Sequence, residues 1–214
     1  MVNLSGTKKK AVVAGHICLD ITPVFPRNGK SALSEVMIPG SLITVGNASI
    51  STGGAVANTG LCMKLLGADV ALMGKVGDDA LGGIVLGLLD KHGLSRGMII
   101  DPSGHTSYSV VIALPGTDRI FLHHSGANDS FYAEDIKEDL LEEASLFHFG
   151  YPPLMRSLYE NEGEELLKIF KKVKQYSCAS SLDMCGVDPA SDAAKADWEG
   201  ILKKTLPYVD FFLP

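Results

Sequence analysis

Apolar positions in this chain switch repeatedly between the spacing of strands and the spacing of helices. KAVVAG at 10–15 is a short apolar run of the kind that makes a buried strand. The polar stretch HICLD follows where that strand would end, so Asp20 is expected near a strand's C-terminal edge. Between residues 36 and 50, Pro39, Gly40, Gly46 and Asn47 break the apolar runs, which predicts β-ribbon rather than helix. From Ala55 the order becomes helix (55–66), strand (70–73), helix (79–91) and strand (98–100), with Gly67 and Gly93 as helix stops. A second β-only stretch, TSYSVVIALPGTDRIFLHH at 106–124, reads as two antiparallel strands about a turn at 115–118. Alternation then resumes, with helices around 133–143, 163–175 and 193–204 and strands at 146–150, 179–183 and 209–213. The rhythm is that of one parallel α/β domain over residues 1–214. The β-only stretches, about 34–50 and 106–124, form most simply one small sheet projecting from it, able to act as a lid.

Composition narrows the partners. In 214 residues, 25 Asp and Glu against 19 Lys and Arg give a formal charge of -6, so no general attraction to nucleic acid or anionic lipid is expected. A small polar ligand fits better. The basic clusters at 8–10 and 171–174 read as solvated surface. The four cysteines show no CxxC pair, which argues against a disulfide framework and a zinc site and for a reducing cytoplasm. The apolar run after the N-terminal lysines is too short for a signal peptide, and no segment approaches the roughly 20 apolar residues of a membrane span.

Several short motifs lead nowhere. NGKSA at 28–32 has the Gly-Lys-Ser of a P-loop, but Val24 stands where the first glycine is required. GLSRG at 93–97 matches GxSxG but follows a helix, whereas a nucleophile elbow follows a strand. No GxGxxG follows the first strand. His123 and His124 are adjacent in a strand, so they point to opposite faces and cannot share one metal.

GGAVANTG at 53–60 is different, because its glycines open a helix. Glycines at a helix N-terminus let a ligand approach the unpaired backbone N–H groups, and Asn58, one turn in, can both donate to and accept from a hydroxyl. Tight packing of helix on sheet is the alternative explanation.

GGAVANTGLCMKLLGADVALMGKVGDDALG resembles the first signature of the PfkB carbohydrate kinases, the ribokinase-like family, with Gly53, Gly54, Asn58, Gly67 and Gly77-Asp78 in register. The departures are Val56, where the family usually has a small residue or proline, and Gly60, where it has a small residue such as alanine. GHICLD looks like the family's first strand ending in a sugar-binding Asp, FLHHSGAN like its returning lid strand, and VDFFLP like the strand leading to the magnesium and phosphate site. The resemblance implies a ribokinase-like three-layer α/β/α fold with a mostly parallel sheet and a β lid. It implies an ATP- and Mg2+-dependent kinase acting on a primary hydroxyl of a sugar or nucleoside. Asp20, Gly53, Gly54 and Asn58 would then line the sugar pocket, Tyr108 and Arg119 would reach it from the lid, and Asp183 would lie near the phosphates. Cys185 stands where the family's Asp-x-Asn has its asparagine. The resemblance also implies that the Gly-Ala-Gly-Asp turn with the catalytic base lies beyond Pro214, so no catalytic base is expected within these residues. A non-catalytic sugar-binding module or pseudo-kinase is the alternative. Apolar residues on both faces of the lid suggest a homodimer through it.

Overall fold

The computed structural model describes residues 10–26 and 32–214. Lysines 8 and 9 of the first basic cluster, and residues 28–31 of NGKSA, lie outside the described residues. In chain order β1 (Lys10–Gly15) leads to β2 (Cys18–Pro23), the one-turn α1 (Leu33–Val36), β3 (Ala48–Gly53), α2 (Gly54–Leu65), β4 (Val70–Met73) and β5 (Lys75–Gly77). Next come α3 (Ala80–Asp90), β6 (Ile99–Asp101), β7 (Tyr108–Ile112), β8 (Ile120–His124), α4 (Glu138–Glu142) and β9 (Ala144–Gly150). Then α5 (Glu164–Val173), β10 (Ala179–Asp183), α6 (Trp198–Thr205) and β11 (Phe211–Leu213) follow.

Five parallel strands make the central sheet in the order β11-β10-β9-β1-β4. Strand alternation in β1 divides the core between the two faces. Val12 and Ala14 join Phe147, Phe149 and Leu182 under the helices α4, α5 and α6. Ala11 and Val13 join Val70 and Leu72 under α2 and α3. Helix α5 shows why: Leu166, Ile169, Phe170 and Val173 are buried at helical spacing, while acidic residues open the helix and lysines close it, matching its dipole. Helix α2 instead lies on the sheet mainly through small residues, burying Ala55, Ala57 and Gly60 together with Val56.

The lid is a second sheet, in the order β3-β2-β7-β8, with β2 and β7 parallel and the two outer pairings antiparallel. Here the sequence expectation needs two corrections. HICLD does not end the first strand: the chain breaks at His16–Ile17 and starts a lid strand, so Asp20 belongs to the lid. The break arises because the Ile17 backbone is taken by Asn128, whose amide accepts from Ile17 N–H at 3.2 Å and donates to its carbonyl at 2.9 Å. The ribbon expected over 36–50 contributes only β3, since most of residues 37–47 are exposed and outside any strand.

Two expected helices are also interrupted. Ala133–Asp135 is a separate 3-10 turn before α4, because the Asp135 carboxylate bonds the Tyr132 N–H and pairs with buried Lys75 at 2.6 Å. Asp192–Lys195 is likewise a 3-10 turn, and α6 starts afresh behind Asp197, which accepts from Gly200 N–H. Among the described residues, no helix is long and apolar enough to cross a membrane.

Candidate functional site

The C-terminal ends of β1, β9 and β10 and the start of α2 meet at one edge of the central sheet, the usual place for a ligand crevice in an open α/β fold. The two glycines there have distinct jobs. A Cβ on Gly53 would sit 2.2 Å from the Asp20 carboxylate, so only glycine lets the acid lie against the helix start. Gly54 has φ +84, and a Cβ there would fall 2.5 Å from the His16 carbonyl oxygen and 2.6 Å from its Nδ1. That carbonyl accepts from Val56 N–H at 3.1 Å and so ties β1 to the first turn of α2. The outcome is an acid, Asp20, held beside N–H groups that have no partner within the helix.

Asn58 is exposed on the same turn, beside the Tyr151 side chain. Tyr151 follows β9 in the left-handed region, with φ 66, a conformation that costs a non-glycine residue about 1–3 kcal/mol. Its N–H donates to the Asp183 carbonyl at 2.9 Å, which fixes the turn at the sheet edge, and its ring lies 6.4 Å from that of His16. Burial raises the Tyr151 phenol above its ordinary value, and nearby Asp183 adds to the shift.

Asp183 ends β10, half-buried, with its carboxylate 3.8 Å from His148 Nε2. Burial raises this acid, and His148 partly opposes the shift. His148 is itself lowered by burial; its Nδ1 lies 3.1 Å from Ser181 Oγ, and its Nε2 is buried without a partner. Cys185 is a neutral thiol, pushed up by burial to about 12.

The residues expected to line the site separate into two groups. Asp20, Gly53, Gly54, Asn58 and Asp183 gather at this edge. Tyr108 does not join them: it stands in register with the fully buried Leu19, so it faces the core side of the lid, its ring 5.7 Å from that of His124. Arg119 lies on the Asp20 face by strand alternation, but at the hairpin end, exposed, with its guanidinium 5.5 Å from the Phe121 ring.

Sequence reasoning missed His16, Tyr151, His148 and Asn128 and dismissed His123. His123 and His124 do face opposite ways, yet the register Ser109↔His123 brings His123 beside His16, a contact no local pattern could announce. A groove of about 330 Å³ opens elsewhere, between Phe25, Val36, Ile43 and Leu114. None of the residues gathered at the sheet edge lines it, so it is set aside as the site. Among the described residues, no three His, Cys, Asp or Glu side chains converge as a metal site.

A family model described as pfkB family carbohydrate kinase matches residues 8–214. The chain is 28% identical over 153 residues to a fructokinase of Solanum tuberosum, covering 70% of this chain and 44% of that one. It spans less than half the length of this relative and of several other curated ones. The fold is shared with an ATP-bound fructokinase from Xylella fastidiosa, at TM-score 0.70 and 18% identity, over 96% of this chain and 61% of that one. It is shared also with an Arabidopsis thaliana ribokinase complexed with ribose and ATP, at TM-score 0.71 and 18% identity, over 96% and 60%.

Proposed function

The chain belongs to the pfkB family of carbohydrate kinases, and from that premise we propose that the whole protein transfers a phosphoryl group from ATP to a primary hydroxyl of a sugar or nucleoside. The observation that carries this reading is the seat of Asp20 against Gly53, which sets a carboxylate beside the open N-terminus of α2. Asp20 accepts hydrogen bonds from substrate hydroxyls, the N–H groups of the first turn of α2 other than that of Val56, which His16 holds, donate to their oxygens, and Asn58 does either. The lid covers the sugar and keeps out water that would otherwise compete as acceptor.

ATP would supply the group transferred, and a magnesium ion, when bound, would neutralise its phosphates. Such an ion commonly takes one or two carboxylates from a protein and its other ligands from phosphate and water, and Asp183 at the sheet edge fits that part. Tyr108 and Arg119 support the lid rather than hold the sugar: one packs inward, and the other stands at the hairpin end. Ile50, Ile120, Phe121 and Leu122 are exposed on the lid, and pairing with a second copy would cover them. The four free thiols fit a reducing compartment such as the cytoplasm.

ADP release over a panel of pentoses, hexoses and nucleosides tests the reaction. Calorimetry with the sugar that turns over tests the pocket, where Asp20→Ala and Asn58→Ala should each weaken binding about ten- to a hundredfold. Unchanged affinity in both folded variants would overturn the site. Sugar binding without turnover would instead identify a binding module. Light scattering that finds only monomer at micromolar concentration would exclude the lid dimer.

A further inference from the structure

The face of the lid that bears Asp20 also carries polar side chains that the sugar-site reading leaves unused. His16 Nε2 lies 3.4 Å from His123 Nε2. His123 Nδ1 lies 3.0 Å from Ser109 Oγ, and Ser109 Oγ lies 3.9 Å from Cys18 Sγ. Cys18 Sγ is 3.3 Å from Asp20 Oδ1. His16 is in the body at the end of β1, and the rest sit on three neighbouring strands of the lid.

The chemistry of the two ends fixes the direction of every link. An ionised carboxylate only accepts, so the Cys18 thiol donates to Asp20. At the far end, His16 Nδ1 is buried without a partner and packs against Gly54 at the start of the 12-residue α2. The positive end of a helix dipole favours a bare lone pair there over an N–H. The single proton of neutral His16 is then on Nε2 and donates to His123 Nε2. That places the proton of His123 on Nδ1, donating to Ser109, whose hydroxyl donates to Cys18. Each of the four groups supplies one proton, and each of the four links uses one.

We propose that His123 is a positioning residue for sugar binding: through this ordered chain it docks β8 on the body at His16 and holds the Asp20 carboxylate with one oxygen engaged by Cys18. The other oxygen, Oδ2, is the one that lies against Gly53. An acid already held in one rotamer gives up less side-chain freedom when a hydroxyl binds. The inference rests on the reading of Asp20 as a sugar ligand.

Long-range proton–nitrogen NMR of histidine-labelled protein at neutral pH tests the order directly. His16 should appear as the Nε2–H tautomer and His123 as the Nδ1–H tautomer; the reverse pair would overturn the direction, and a free mixture at both would overturn the chain. Ser109→Ala should release the tautomer preference of His123. With D-fructose and D-ribose as probes, Ser109→Ala and Cys18→Ala should each raise KM for the sugar about tenfold with kcat little changed. Cys18→Ser, which keeps a donor, should restore it. Cys18→Ser no better than Cys18→Ala would reduce these contacts to packing and defeat the proposal. If Asp20→Ala weakens sugar binding while Ser109→Ala and Cys18→Ala do not, this inference falls and the sugar site stands. If Asp20→Ala has no effect, the sugar site falls, and the positioning role with it, whatever the tautomers.

Discussion

Gly53 and Gly54 look interchangeable in the sequence but should respond differently to the same change. Gly53 has an extended backbone at φ -126, open to any residue, and only the Asp20 carboxylate stands in the way of a side chain. Gly53→Ala is therefore expected to fold with little loss of stability and to lose sugar affinity about as much as Asp20→Ala, which calorimetry beside a urea titration would separate. Gly54 combines positive φ with a backbone carbonyl in the path of any Cβ. Gly54→Ala should cost about 1–3 kcal/mol or more of stability, read from the shift in urea midpoint. The sequence announced that glycines were needed at this helix start and supplied ligand access as the reason. It could not announce the close neighbours, because Asp20 and His16 reach them through sheet register and not through local spacing.

At the level of elements, legibility followed the strength of the local signals. Helix α5 was readable because its apolar positions recur at helical spacing, and α3 because its apolar run stops at Gly93. The Asp79 carboxylate accepts from Gly82 N–H and from both the N–H and the hydroxyl of Thr106. It thus caps α3 and pins the loop before β7 at once. Asp79→Ala should cost about 2 kcal/mol, the upper end for a lost N-cap, and Asp79→Asn less; a drop within error in the urea midpoint would remove that double role. The segments around 133–143 and 193–204 misled for the complementary reason. Asp135 and Asp197 offer side-chain bonds that start a new turn within an apolar pattern that otherwise reads as one helix. The lid was legible as a sheet but not in its membership, since the break between β1 and β2 is held by Asn128, 111 residues further along the chain from Ile17.

Across the whole molecule, the buried imidazoles set how stability depends on pH. Burial, with His123 beside it, holds His16 down at about 3 against an ordinary 6.5, and burial also lowers His123 and His148. These groups stay neutral in the folded chain, while the unfolded chain takes up protons below about 6.5, so stability is full above that pH and falls as the pH drops toward 3. Acids lowered by their hydrogen bonds, such as Asp101 and Asp210, add to the loss only below about 4. Urea midpoints should therefore decline already between pH 6.5 and 5, and the decline should be shallower in His16→Asn. A flat profile over that window would show that the imidazoles titrate normally. The central place of β1 has a consequence in time. One of its sides is covered when β4 emerges, but the other waits for β9, and the Lys10–Glu143 ion pair spans 133 residues of chain. At the usual pace of translation, that leaves the backbone N–H and C=O groups along this edge of β1 unpaired for on the order of ten seconds. Nascent chains halted before β9 has left the ribosome should be cut by protease at β1 and held by chaperones, and longer ones should resist both.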